Sequence, residues 1–512
     1  MSRFGFQALV LATGLCGTAL LIGLILLRTD GMLIYALDDP YIHLAVAQEI
    51  LRGSYGINPT EFASPSSSIL FAPLLAPLLA LGLGTWSSLV LSLGGQSIAL
   101  WLLAGAAAPL VQSSRPMALL MAVLLPLAIN SFALPLTGME HPIHIAASVA
   151  VILGLWRSAQ ANAQSRVPAW LIPAILLAAA IRFEGYALAF AAILTLLALR
   201  QTRAALLTAL GLLVLTGTYI LAMQALGLPL LPSSVMVKSQ ASAAAADADF
   251  LDLIQRLIAN LVQALTNRWG VIFVGFALIF ATLTLSPRSP RQTRAVAFTA
   301  FCVLAAHLLV GRYGWFGRYE VYAAAILLCA SLLIAPKLHK SAAPLALALM
   351  AALGLGYAPV TLQTPAAALS VYEQQYQMHR FATDYFPHPV AVNDLGWVAF
   401  DNDTHVLDLW GLGSEEARRL TRDGGRTVQT VQHLTQGHVA YAMIYDIAFA
   451  GAIPPAWCRI ADLTTSRVIA ASDQVAFYLI ERPHEAEMRR ALADFGPTLP
   501  PGASLSVFPC AD

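Results

Sequence analysis

Two adjacent carboxylates, Asp38 and Asp39, follow closely on an apolar run from about Phe6 to Leu27. Capping a helix needs only one acid, and two side by side repel each other. Basic residues that could face them are Arg52, Lys238, Arg312 and Arg318, and Lys238 is one of only three lysines in the chain. A carboxylate that takes a proton from an attacking hydroxyl, beside cations that hold a phosphate, suits group transfer from a phosphorylated donor. Glu140 and His141 stand in Thr137-Gly138-Met139-Glu140-His141-Pro142, and Arg182 and Glu184 interrupt an otherwise apolar stretch. An ionisable group at bilayer depth costs a few kcal/mol and so faces a cavity or a partner. The plain structural alternatives are an ion pair for Arg182 and Glu184 and an interfacial loop for Glu140. His43 lies four residues after Asp39, on the same helical face, where it could orient that carboxylate or help hold a divalent cation. Asp38, Asp39 and His43 make only a thin metal site. Tyr313, Trp315 and Tyr319 suit stacking on a sugar ring or headgroup, and equally suit anchoring at the membrane interface.

The elements that must position these residues follow from composition. The chain has 512 residues, 58% hydrophobic and 11% charged, with a mean hydropathy of +0.70. Soluble domains carry roughly 25% charged residues, so a soluble globule would have too little charge to cover its surface, and disorder is excluded for the same reason. A polytopic α-helical membrane protein is the class that remains. The net charge of +1 points to no nucleic-acid partner. Eleven acids precede residue 361 and seventeen follow it, which divides the chain into a membrane part, 1–360, and a water-soluble part, 361–512.

Apolar stretches recur at about 6–27, 67–84, 86–110, 117–135, 142–156, 169–182, 186–199, 204–224, 270–286, 295–311, 319–335 and 342–360. The first has the length of a span and reads as an uncleaved helix starting in the cytoplasm. Arg157 with Arg166, Arg200 with Arg203, Arg288 with Arg291 and Arg294, and Lys337 with His339 and Lys340 mark cytoplasmic turns. Loops 28–66, 225–269 and 312–318 and the tail then fall outside. Twelve crossings would return the tail to the cytoplasm, so about eleven transmembrane helices are expected, with one stretch re-entrant or fused to a neighbour. Stretch 142–156 and the pair around Arg182 to Gly185 read as too short to cross alone. Within the first outer loop, Pro40 to Leu51 reads as a short amphipathic helix along the membrane face, and a second amphipathic piece lies around 250–263.

The tail reads as a compact extracytoplasmic α/β domain. Strands are expected at Val390–Val392, Val406–Leu409, Ala440–Ile444 and Val475–Ile480, a turn at Asn393 to Trp397, and a helix start at Glu415. Neither a nucleophile elbow nor a phosphate loop occurs there. Of five cysteines, Cys16, Cys302 and Cys329 sit in apolar runs, while Cys458 and Cys510 share the tail and are candidates for a disulfide. No CxxC or zinc spacing is present.

The order of these motifs carries a resemblance. Asp38-Asp39-x-Tyr41-Ile42, then Gly53-x-Tyr55-Gly56-x-Asn58-Pro59 and Ser64-Pro65-Ser66-Ser67, resembles the first outer loop of the GT-C glycosyltransferases, in the AftB-like arabinofuranosyltransferase and protein-mannosyltransferase-like branches. Thr137-Gly138-Met139-Glu140, Arg182-Phe183-Glu184-Gly185, Leu231-Pro232-Ser233-Ser234 with Lys238, and Gly317-Arg318-Tyr319 fit the same pattern, as do Asn393-Asp394-x-Gly396 and Asp408-Leu409-x-Gly411-Leu412. The likeness runs from about 30 to 415. Phe183 replaces the family's usual proline, and Ser233-Ser234 its usual Asn-Thr. The resemblance implies a GT-C transmembrane catalytic module over 1–360. It implies inverting transfer of a sugar from a polyprenyl-phosphate donor to an acceptor hydroxyl on a glycan, lipid or protein, at the outer face of an inner or plasma membrane. A lipid phosphate leaves readily, so a base and phosphate-side cations suffice. Asp38 or Asp39 is then the base. Arg182, Lys238 and Arg318 face the donor phosphate. His43, Glu140, His141, Glu184, Trp315 and Tyr319 serve the acceptor side or the surrounding network. Some members of the resembling family work without metal, so the resemblance leaves the cofactor open, with Asp38, Asp39 and His43 as the ligands of any divalent cation.

Two other readings compete. A transporter or flippase of a lipid-linked sugar would explain the spans and intramembrane charges, but not the outer carboxylate pair, and no inverted repeat is evident. A glycan-binding sensor or assembly protein would not need so many spans.

Overall fold

The computed structural model describes residues 1–111, 114–160, 167–238, 250–338, 342–466 and 468–510. Each apolar stretch of the membrane half forms a helix. In chain order, with the outer-loop helix included, these are α1 (Arg3–Leu26), α2 (Asp39–Leu51), α3 (Phe71–Ala80), α4 (Trp86–Val111), α5 (Arg115–Ala128), α6 (His141–Gln160), α7 (Leu171–Ile181), α8 (Gly185–Ala198) and α9 (Thr202–Ala225). There follow α10 (Ser233–Lys238), α11 (Phe250–Leu265), α12 (Arg268–Leu285), α13 (Arg291–Val310), α14 (Val321–Leu338) and α15 (Ala342–Glu373). Local chemistry sets several starts. The side chains of Ser2, Ser114 and Asn267 accept the orphan amides of Gly5, Met117 and Trp269. Among the described residues, seven helices, α1, α4, α6, α9, α12, α13 and α15, are long and apolar enough to cross a membrane. The 20-residue α6 replaces the short stretch read at 142–156, so that segment can span after all. At about 1.5 Å per residue, the 11 residues of α7 cannot.

α14 lies at the centre, with Val321, Ala323 to Leu328, Cys329 and Ala330 sealed from solvent among α4, α6 and α13. α9 sits at the rim and presents Leu206, Leu210, Leu213 and Leu221 outward, as a lipid-facing helix should. Arg291 reaches the Leu199 carbonyl at 2.6 Å, which joins two of the basic turns. At the opposite end, the Ser233 amide binds the Ser64 carbonyl at 2.9 Å, drawing two of the other loops together.

α15 does not stop where the composition changes. It runs 32 residues to Glu373, so the boundary read at 360/361 falls inside a continuous helix. Beyond it come α16 (Gln375–Arg380), β1 (Val390–Val392), α17 (Gly396–Ala399), β2 (Val406–Asp408), α18 (Glu415–Gly424), α19 (Val428–Thr435), β3 (Tyr441–Ile444), β4 (Cys458–Thr464), β5 (Gln474–Leu479), α20 (Glu485–Phe495) and β6 (Ser504–Val507). The six strands form one mixed sheet in the order β2-β1-β3-β5-β4-β6. β1 runs parallel to β2 and β3, with Val390 level with Val406 and Tyr441, and the other pairs are antiparallel. Alternate residues serve opposite faces. Ala391, Leu407, Ala442 and Ile444 pack with Ala417, Val431 and Leu434 of α18 and α19. Val390, Val392, Tyr441 and Phe477 face the other way. That second core also contains Tyr35, Tyr41, Leu44 and Phe71, so tail and first outer loop are packed as one body. Cys458 and Cys510 form a disulfide, with their Cα atoms 5.4 Å apart.

Candidate functional site

The first outer loop is the keystone. α2 was expected to lie along the membrane face; instead it is a core helix, with Tyr41, Leu44, Ala45 and Val46 fully buried against α3 and α17. Its sequence is amphipathic only in appearance, because His43 and Glu49 are buried too. Tyr41 stacks on Trp397, ring centroids 4.0 Å apart. Gly138, at φ +65°, adopts the left-handed backbone that glycine favours, and a Cβ there would strike Tyr35 and Pro40. The Ala36 amide binds the Leu136 carbonyl. The Thr137-Gly138-Met139 turn is thereby wedged beneath the start of α2, with Glu140 at its end.

The structure separates the carboxylate pair. Asp38 turns away from its own helix and caps another: its Oδ2 accepts the Gly396 amide at 2.7 Å and its Oδ1 the Trp397 amide at 2.9 Å. A Cβ on Gly396 would collide with Asp38, so the close approach requires glycine. Asp39 is the more accessible acid, with its side chain 19% exposed, and its Oδ1 lies 3.1 Å from Arg318 Nη2.

Both acids line a cavity of about 1040 Å³. Its walls come from the first outer loop, from α11 through Arg256, Asn260 and Gln263, from the 311–319 turn through Arg312, Tyr313, Trp315 and Tyr319, and from the tail through Asp394, Trp410 and Tyr445. The three loops and the tail therefore meet around one space. Asp394 brings a third carboxylate, whose Oδ2 accepts Gln375 Nε2 at 2.8 Å and the Tyr445 hydroxyl at 2.9 Å. Burial pushes Asp38 well above the usual carboxylate range; the nearby Asp394 charge adds to this, and the two backbone amides oppose it. Burial likewise raises Asp394, against its bonds to Gln375 and Tyr445. Both prefer the neutral form more than a free aspartate does.

Arg318 is 2% exposed and also bonds the Tyr319 hydroxyl at 3.3 Å. Its Nε and Nη1 are buried and, among the described residues, have no hydrogen-bond partner. Buried guanidinium donors are seldom left open. The turn that carries it is unusual. Gly314, Trp315, Phe316 and Gly317 all have positive φ, 83°, 52°, 66° and 64°, and each non-glycine in that region costs roughly 1–2 kcal/mol. Asn130 Nδ2 holds the Phe316 carbonyl at 2.9 Å, and a Cβ on Gly317 would hit Tyr357.

Arg182 is occupied. Its Nη1 meets Glu140 Oε1 at 2.6 Å, and its Nε and Nη2 grip the two oxygens of Glu184 at 3.0 and 2.6 Å. Ser67 Oγ adds a bond to Glu140 at 3.2 Å. His43 joins this network rather than lying ready for a metal, with Nε2 3.8 Å from Glu140 Oε2 and Nδ1 3.0 Å from Ser66 Oγ. His141 is buried and faces the Tyr319 ring edge-on at 6.5 Å, with neither ring nitrogen hydrogen-bonded among the described residues. The plain ion-pair reading of Arg182 and Glu184 thus fits the geometry, and the interfacial-loop reading of Glu140 does not, because Glu140 is fully buried. Lys238 ends α10, and its side chain lies outside the described residues. Trp315 lines the cavity and is 62% exposed.

A divalent cation does not suit Asp38, Asp39 and His43. Both Asp38 oxygens accept backbone amides, Asp39 pairs with a guanidinium, and His43 points to Ser66 and Glu140. Of the tail residues, Asp394 stands out in the sequence only as part of a motif, and Gln375 and Tyr445 carry no signal there. Asn393-Asp394-x-Gly396 was the available signal. In the fold, Asn393 Oδ1 takes the Tyr445 amide, Asp394 faces the cavity and Gly396 receives Asp38.

A family model described as "Domain of unknown function (DUF8728)" matches residues 366–478, from within α15 to β5. No curated protein matches the chain. Among solved structures, the oligosaccharyltransferase of Archaeoglobus fulgidus, in complex with Zn and sulfate, is similar at 12% identity and a TM-score of 0.46, over 96% of this chain and 74% of that one. ArnT from Cupriavidus metallidurans, bound to undecaprenyl phosphate, is similar at 12% identity and a TM-score of 0.40, over 91% of this chain and 98% of that one.

Proposed function

We infer that this chain is a GT-C membrane glycosyltransferase that moves a sugar from a polyprenyl-phosphate donor to an acceptor hydroxyl at the extracytoplasmic face. One observation carries the reading. Asp39 stands on the wall of a large cavity at 3.1 Å from Arg318, a buried cation with two unpartnered donors among the described residues. A base and a phosphate-side cation are thus adjacent. The acceptor oxygen attacks the anomeric carbon, its proton passes to the Asp39 carboxylate, and the bond from that carbon to the phosphate oxygen breaks. The electron pair leaves with the lipid phosphate, towards Arg318. A single displacement inverts the anomeric configuration. Asp39 is preferred over Asp38 because both Asp38 oxygens already accept backbone amides. Glu140, Arg182 and Glu184 brace the wall behind, and Tyr313, Trp315 and Tyr319 offer aromatic faces to the sugar or acceptor. The Cys458–Cys510 disulfide supports placing the tail outside the cytoplasm.

The test uses membranes containing this chain, supplied with radiolabelled polyprenyl-phosphate sugars one at a time. Loss of label from the lipid in wild type, absent in Asp39→Asn, is the expected outcome. Equal transfer by Asp39→Asn would overturn the base assignment. Label crossing the bilayer still attached to its lipid would replace transfer with transport.

A further inference from the structure

A second cluster of functional side chains lies in the tail, away from the cavity. His388, in the segment leading into β1, places Nε2 3.0 Å from Glu487 Oε1. His484, at the start of α20, places Nδ1 3.2 Å from the other oxygen, Glu487 Oε2. The three ligand atoms lie within 4.8 Å of one another, and no other group of three such donors gathers this closely among the described residues. In a tetrahedral zinc site with bonds of about 2.0–2.1 Å, ligand atoms are roughly 3.3 Å apart, so side-chain rotation suffices to close the set. The rings are held from below. Buried Phe386 lies 4.4 Å from the His388 ring and 6.2 Å from the His484 ring, and the two imidazoles are 4.4 Å apart. A fourth residue completes the logic. Glu481 Oε2 is 3.5 Å from His484 Nε2, the nitrogen opposite the one facing Glu487. With Nδ1 turned to a metal, Nε2 carries the proton and donates it to Glu481, the carboxylate–histidine–metal arrangement that fixes tautomer and orientation.

We propose that His388 Nε2, His484 Nδ1 and the Glu487 carboxylate bind one zinc-class divalent cation, with Glu481 orienting His484 and a fourth position left to water. Two imidazoles and a carboxylate favour zinc, cobalt, nickel or copper over magnesium or calcium. The ion clamps the start of α20 to the segment before β1, the strand that ends two residues before Asp394. This inference is independent of the reaction proposed above.

The test is zinc titration of the tag-free full-length protein in detergent against a chromophoric chelator, with cobalt(II) spectra alongside. Wild type should take up one ion per chain, show the visible absorption of four-coordinate cobalt, and melt at a higher temperature with zinc than with EDTA; magnesium should do none of this. His388→Gln and Glu487→Gln should each lower zinc affinity at least 10-fold, and Glu481→Gln about 10-fold. Unchanged stoichiometry and affinity in the His388→Gln/Glu487→Gln double variant would overturn the site, as would no uptake by wild type. Zinc-edge absorption of the wild-type protein decides the matter without any substitution. Two imidazole shells with oxygen sustain the proposal; a sulfur or all-oxygen shell overturns it.

Discussion

Asp38 closes its carboxylate on the backbone amides of Gly396 and Trp397, 358 and 359 residues further along the chain. The acid next to it, Asp39, instead faces the cavity and Arg318. Two neighbours of one type thus hold different posts, one joining the tail to the membrane half and one standing at the proposed site of chemistry.

Substitution should separate those posts. Asp39→Asn is expected to lower transfer at least 100-fold and, because it takes the counter-ion from buried Arg318, to lower the melting temperature as well. Asp38→Asn replaces one acceptor oxygen by an NH₂ facing a backbone amide, and should cost about 1–3 kcal/mol of stability. Initial rates with a labelled donor, beside thermal melts in detergent, distinguish them. Equal loss of rate in both variants would mean the division is wrong.

Arg318 should matter to donor binding more than to folding. Arg318→Lys keeps a charge but loses the planar fork, and the donor KM is expected to rise about 10-fold or more. An unchanged KM would remove Arg318 from the phosphate side.

Arg182 should behave in the opposite way. Its removal leaves Glu140 buried without its counter-ion, a change worth roughly 3–5 kcal/mol. Arg182→Ala should therefore express poorly or melt early, and adding Glu140→Gln should restore part of the loss. Normal melting with a weakened donor KM would return Arg182 to a direct phosphate role.

Asp408 supplies a pH test in the tail. Burial raises it to about 6, although the amides of Trp410, Leu412 and Gly413 bind it. A group whose folded pKa lies above its unfolded value stabilises fully below the unfolded pKa, here 3.8, and loses that contribution as pH rises through about 6. Asp408→Asn lacks this titration. The melting-temperature gap between wild type and variant should narrow between pH 4.5 and 7.5; a gap that widens contradicts the assignment.

Thiol titration of the denatured, unreduced protein should return three of the five cysteines, those of Cys16, Cys302 and Cys329. Cys510→Ser should return four and cost about 2–5 kcal/mol. Five thiols in wild type would show that the bridge does not form.

The helices were legible because lipid demands long apolar runs: each of the twelve stretches became a helix, but of the about eleven spans expected, seven helices among the described residues are long and apolar enough to cross. Strands β1, β2, β3 and β5 were legible from their short β-branched or aromatic runs. β4 and β6 were not, because Cys458 to Thr464 mixes Arg459 and Asp462 into the strand and Ser504 to Val507 alternates serines at a sheet edge. The motif residues Asp39 and Arg318 do meet. What sequence could not give was the partition of charges: Arg182 reads either as a partner of Glu184 or as a donor-side cation, and only the fold adds Glu140, 42 residues earlier. The proposed metal cluster was hidden similarly, since His484 and Glu487 are three residues apart but His388 lies 96 and 99 residues before them. α2 misled because alternating polarity implies a water-facing side only when nothing else covers it, and the tail covers it.

The unbroken course of α15 past the compositional boundary has a consequence for engineering and for descent. A chimera joined at residue 361 or 366 would cut a helix in mid-course and also sever Asp38 from Gly396. The tail is consequently no detachable module: grafting it onto another membrane half would need the first outer loop to travel with it, and the two segments should be inherited as a matched pair.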